Sequence, residues 1–124
     1  MFRQTRVGIV CGVFLLVLSA VPVHAGDLPA SEKAKIEALL QHVATLTEAV
    51  FIRNHQTYAS AIAARFLRDK WAASFAAITT ATDFIEHIAS VSSTSGLPYC
   101  IRFPDGREVP SGEYLRAALK QLEH

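Results

Sequence analysis

Past residue 30 the apolar positions recur in two rhythms, and the switches between them divide the chain. Ile36, Leu39, Leu40, Val43 and Leu46 stand three or four apart, with Glu32, Lys33, Lys35 and Glu37 between them. That is the spacing of an amphipathic helix, and Ser31 is placed as its N-cap. Val50-Phe51-Ile52 breaks the rhythm with a β-favouring triplet, and Arg53-Asn54-His55 reads as the turn that ends it. The pattern predicts a strand over 50–53 and a second helix over about 57–71. In that helix Ile62, Ala63, Phe66 and Leu67 face inward, and Arg65 and Asp69 form an outward pair. Lys70 falls inside the apolar stripe, which makes it the odd member of the helix.

Thr80-Ala81-Thr82-Asp83 has capping-box spacing, with Asp where Glu is preferred. It opens a helix whose buried stripe is Phe84, Ile85 and Ile88, extended by Val91. Ser92-Ser93-Thr94-Ser95 competes for backbone groups instead of continuing the helix, and Gly96 and Pro98 end it. Tyr99, Ile101 and Phe103 alternate with Cys100 and Arg102 as in a half-buried strand. Pro104-Asp105-Gly106-Arg107 is a turn, Glu108-Val109 a short return strand, and Ser111 the cap of a last helix with Tyr114, Leu115, Ala118, Leu119 and Leu122 inward. The fold class is therefore α+β: a mainly helical single domain of about four helices with a small antiparallel sheet or hairpin. Strand 99–103 is expected to pair with 107–109 or with 50–53.

The first 25 residues follow a different logic. Arg3 and Arg6 precede an apolar run from Val7 to Ala20, Pro22 breaks it, and Val23-His24-Ala25 supplies small residues at −3 and −1 of a cleavage site. Residues 1–25 are read as a signal peptide and 26–124 as one globular domain, exported to the periplasm and not membrane-spanning after cleavage. Without Arg3 and Arg6 the chain carries 10 basic residues against 11 acidic ones. No basic excess points to nucleic acid. Cys100 is then the sole cysteine, so no internal disulfide is available and stability rests on the core.

The stretch His87 to Cys100 holds a histidine, hydroxyls and a thiol, but no G-x-S-x-G elbow. A helix places His87 and Ser92 on different sides, so the run reads as a helix exit. Its successive backbone N–H groups are able to cradle an anion. Cys100 reads as a small buried hydrophobe, with Arg102 on the same strand face as the group that would favour a thiolate. His42 lies off the apolar stripe and is expected in solvent, and the histidines show no metal-ligand spacing. Neither a metal nor a cofactor is expected. Two cations remain: Arg53 at the end of the first strand, with a structural bond to the carbonyls left where the 81–91 helix ends as its ordinary role, and Lys70, which would ordinarily snorkel. The candidate ligand-binding set is Arg53, Asn54, Lys70, Ser92, Ser93 and Ser95.

The expected function is that of a non-enzymatic binding or protein-interaction module, whose partner is an envelope protein or a small anionic ligand. The alternatives are a small hydrolase or thiol enzyme using Cys100 or a Ser92–Ser95 hydroxyl, and a structural envelope protein with an exposed apolar patch around Trp71 and Phe75.

The segments "VFIRNHQTY", "AARFLRDK", "TATDFIEHIASVSSTSGLPYCI" and "SGEYLRAAL" resemble a YfeK-like family of small exported bacterial proteins with a domain of unknown function. The resemblance spans nearly all of 26–124. Its most specific pieces are Phe51-Ile52-Arg53-Asn54, Lys70, Asp83-Phe84-Ile85 and the serine turn. It implies an exported protein with no assigned activity. The chain departs from the family pattern at His55, where that pattern has Gly, and at Phe66, where it has His.

Overall fold

The computed structural model describes residues 28–74 and 77–124; the expected signal peptide and Phe75 lie outside them. Four helices and one four-stranded antiparallel sheet follow in the order α1 (Ala30–Thr45), β1 (Val50–Arg53), β2 (Gln56–Ala59), α2 (Ser60–Ala73), α3 (Ala81–His87), β3 (Cys100–Arg102), β4 (Glu108–Pro110) and α4 (Ser111–Leu122). The α+β expectation holds.

The sheet order is β2-β1-β3-β4. β1 pairs with β2 through Phe51–Tyr58 and Arg53–Gln56, and with β3 through Phe51–Ile101. β3 pairs with β4 through Ile101–Val109. Both pairings considered for strand 99–103 therefore occur together, because β3 is a central strand. Strand β2 corrects the helix expected over about 57–71, which begins only at Ser60. Thr57 and Tyr58 have weak helix propensity, and the two-residue turn before β2 returns the chain alongside β1.

The core lies between α1 and the other elements. Ile36, Leu39, Leu40 and Val43 of α1 are all 0–1% exposed and meet Leu67, Trp71, Phe84, Ile85, Ile101 and Leu115. Phe84 is wholly buried with Trp71 set edge-on at 5.8 Å between ring centroids. Trp71, 5% exposed, therefore does not head a surface patch. Ile62, Val91 and Leu122, expected inward, are exposed instead. Ile62 sits off the narrow stripe Ala63–Leu67–Trp71, Val91 follows a helix that has already ended at His87, and Leu122 lies in the last turn of the chain.

Helix ends show how local chemistry sets the boundaries. The capping box at α3 is complete: Thr80 accepts from the Asp83 N–H, and Asp83 accepts from the Thr80 N–H. Ser31 and Ser111 are not N-caps, since the helices begin after Pro29 and Pro110 with no side-chain cap. Proline needs no acceptor for its own nitrogen, so these starts shift by one or two residues. Arg65 and Asp69 form no ion pair among the described residues; Arg68 reaches across to Glu37 at 2.8 Å instead. His42 is half-buried against Tyr114, 2.9 Å from its hydroxyl.

Candidate functional site

The site begins with the β1–β2 turn. Asn54 and His55 have φ of 50° and 70°, the left-handed pair that a two-residue type I′ hairpin demands. Strand alternation puts Arg53 on the same face as Phe51, towards α2. Its guanidinium carbon lies 4.2 Å from the centre of the Phe66 ring, a cation–π contact. The Nε–H is buried and has no hydrogen-bond partner among the described residues. Leaving a buried donor unsatisfied costs about 1–3 kcal/mol, so this arginine is held rather than stabilised by its polar surroundings.

Lys70, in the last turn of α2, lies one helical turn beyond Phe66. Its Nζ donates to the Val91 carbonyl at 2.8 Å and to the Tyr99 hydroxyl at 3.1 Å, and stands 4.9 Å from the centre of the Tyr99 ring. Lys70, and not Arg53 as the sequence predicts, takes the carbonyl beyond the end of α3. Val91 faces Pro98 in an isolated bridge whose backbone bonds run from Ser92 N to Leu97 O and from Tyr99 N to Ser90 O. The Val91 oxygen is thereby left to the lysine. An ammonium has three protons to donate, and these two bonds use two of them.

The third wall is the serine turn. Ser92 is 2% exposed. Its hydroxyl accepts from Thr94 N at 3.3 Å and Ser95 N at 3.4 Å and lies 3.0 Å from the Thr94 hydroxyl. Gly96 N donates to Ser92 O, and Leu97 N donates to the Ser95 hydroxyl. The Thr94, Ser95, Gly96 and Leu97 N–H groups, expected to cradle an anion, are thus used within the turn. Ser95 donates to Asn54 Oδ1 at 2.5 Å, which ties the serine turn to the hairpin turn.

Together these elements enclose an open cleft of about 330 Å³ lined by Arg53, Phe66, Asp69, Lys70, Ser92, Ser93, Thr94 and Tyr99. It brings together Arg53, Lys70, Ser92 and Ser93 of the sequence set, whereas Asn54 and Ser95 brace its margin. Phe66 and Tyr99 were read as core residues and Asp69 as surface. The i, i+4 spacing of Phe66 and Lys70 was the available signal that an aromatic ring would accompany the cation. The cleft carries two cations and one carboxylate, and among the described residues neither cation has a carboxylate within 4.0 Å.

Cys100 is half-buried on β3, the strand beside β1. Burial pushes its thiol up from the ordinary 9.0, and the Glu108 carboxylate adds to the effect. The expected influence of Arg102 is absent because Arg102 is bonded to that same Glu108 at 2.9 Å. His87 and His55 are exposed and His42 is engaged with Tyr114. Among the described residues no histidine is hydrogen-bonded to Cys100 or to a hydroxyl of the serine turn, and no three His, Cys, Asp or Glu side chains gather as metal ligands. No helix among them is long and apolar enough to cross a membrane.

Residues 30–123 match the family described as "Family of unknown function (DUF5329)". The chain belongs to that family. It is also similar to "Uncharacterized protein YfeK" of Salmonella typhimurium (strain LT2), 37% identical over 91 residues that cover 73% of this chain and 74% of that protein. No solved structure matches it. The YfeK-like resemblance read from the sequence is correct, and membership in the family assigns no chemistry to the cleft.

Proposed function

We propose that the protein is a non-catalytic binding module of the bacterial periplasm, and that the cleft between β1, α2 and the serine turn takes the anionic group of a small ligand or an envelope protein. The observation that carries this reading is the pair Arg53 and Lys70. Both are half-buried on one cleft, and neither has a carboxylate at ion-pair distance among the described residues. A carboxylate, sulfate or phosphate entering there would meet the guanidinium, the remaining ammonium proton and the hydroxyls of Ser93 and Thr94. Asp69 on the same wall opposes a multiply charged anion and favours a single negative charge. The raised thiol of Cys100, with no histidine bonded to it among the described residues, supports the non-enzymatic reading over a thiol enzyme.

A second reading has its own support: Lys70 bonds to Val91 O and Tyr99 OH, as a structural lysine would. The two are separated by titrating the protein with acetate and with sulfate against chloride at equal ionic strength. Amide NMR shifts at 53, 66, 70, 92–94 and 99 are the readout. The binding reading expects shifts confined to these positions and lost in Arg53→Gln. A structural lysine would instead give a lower melting temperature in Lys70→Gln and a flat titration in the native protein.

A further inference from the structure

Behind the cleft lies a second space. It has a volume of about 100 Å³ and is walled by Phe51, Tyr58, Ile62, Ala63 and Leu67. Arg53, Phe66 and Tyr99 line both this cavity and the cleft. The two spaces therefore share one wall, and the charged end of that wall is the arginine. Apart from it the cavity is bounded almost wholly by hydrocarbon and aromatic surface, so water inside would find few partners. Ile62, an apolar residue 42% exposed, also lies on its lining.

From this juxtaposition we infer that the ligand is an aliphatic monocarboxylate, whose short branched hydrocarbon group fills the cavity while its carboxylate meets Arg53 at the shared wall. The inference rests on the preceding reading of the cleft as an anion site. Size sets the hydrocarbon part. An engineered protein cavity of about 150 Å³ takes a benzene molecule, so 100 Å³ suits a branched group of about three or four carbons. Charge sets the head. Arg53 lines both spaces and has no carboxylate within 4.0 Å among the described residues, and a carboxylate is planar and accepts from a guanidinium through two oxygens. Asp69, which lines the cleft beside that wall, disfavours a dianion. The chemistry is common to a free branched-chain acid and to a peptide that ends in leucine or valine with a free carboxylate.

The test is a set of NMR titrations with acetate, isovalerate, 3-methylbutan-1-ol, and the peptide Gly-Gly-Leu as free acid and as amide. Isovalerate should bind at least tenfold more tightly than acetate and tenfold more tightly than the alcohol, with shifts at Phe51, Ile62 and Ala63 added to those of the cleft. Arg53→Gln should remove the difference between acid and alcohol. Ile62→Glu alters a position 42% exposed, is checked for a native-like amide spectrum, and should weaken isovalerate tenfold by placing a like charge on the lining. Tight binding of Gly-Gly-Leu with loss in its amide assigns the ligand to a peptide terminus; binding of isovalerate without the peptide assigns it to a free acid. If acetate and isovalerate bind equally, with shifts in the cleft alone, the hydrocarbon inference is overturned while the anion site stands. If acid and alcohol bind equally, or nothing binds, the anion site falls as well.

Discussion

His55 holds a full side chain at φ 70°, where a residue other than glycine costs about 1–2 kcal/mol. Asn54 before it tolerates the region, and Asn-Gly is the preferred pair for this turn. His55→Gly should therefore stabilise the protein, less the greater freedom glycine gains when unfolded, by about 0.5–1 kcal/mol. A higher urea midpoint at unchanged slope is the check. At Cys100 burial and Glu108 hold the thiol protonated, so its alkylation at pH 8 should run slower than that of a free cysteine and speed up in Glu108→Gln. A rate equal to that of the unfolded chain would contradict the burial. The candidate cations were legible as residues, since each was out of place in its own pattern. That Lys70 and not Arg53 meets the Val91 carbonyl was not, because it depends on how α2 lies against a bridge formed after α3.

The start of α3 is held by two carboxylates from different elements. Asp83 accepts from Thr79 and Thr80, and Glu32 of α1 accepts from the Ala81 N–H at 2.8 Å. Both groups lie below their ordinary values of 3.8 and 4.5, Asp83 chiefly through the Thr79 N–H and Glu32 chiefly through the Ala81 N–H. A depressed carboxylate stabilises the fold fully above its unfolded value and loses that contribution as pH falls through its folded one. Stability should thus decline on acidification below about pH 4, and Asp83→Asn should flatten the decline while costing about 1 kcal/mol at neutral pH. Urea midpoints at pH 7 and pH 3 decide this. Helix α4 starts close against the turn after α3: a Cβ on Gly112 would clash with the Ser90 hydroxyl, which is itself bonded to Ile85 O. Gly112→Ala should cost about 1–3 kcal/mol, and adding Ser90→Ala should recover part of the loss, a coupling that a double-mutant cycle measures. The capping box and the stripes of α1 and α3 were readable because local bonds and periodicity determine them. Strand β2 was not, because Gln56-Thr57-Tyr58-Ala59 has no alternation of its own and is a strand only through its partner β1. Ile62 was misplaced for a related reason: α2 buries a narrow stripe, and the residue beside it borders a cavity that only the assembled sheet creates.

On the scale of the molecule the sheet is two local hairpins joined at one non-local seam. β1–β2 closes through a two-residue turn and β3–β4 through a short loop, whereas Val50 meets Arg102 across the whole of α2 and α3. If residues 1–25 are a signal peptide, the intact mass of protein recovered from the periplasm should be that of a chain starting near Gly26. Cys100 is the sole cysteine of 26–124, so no internal disulfide is available, and its half-buried, protonated thiol should keep that form from running as a disulfide-linked dimer without reductant. The seam between β1 and β3 also fixes when the cleft comes into being. Arg53 belongs to the first hairpin, Phe66 and Lys70 to the helix after it, and Tyr99 and the serine turn to the approach to the second hairpin. Continuing the β1–β3 register by one residue sets Tyr99 opposite Arg53. Loop closure makes such long-range pairing a late event in folding, so neither hairpin alone contains the cleft. A compound that occupies it bridges the seam and favours the closed chain by mass action. Amide exchange at Ile52, Cys100 and Ile101 should slow in its presence, while exchange at the outer edges of the sheet should not, making the proton traffic of three backbone amides a gauge of occupancy.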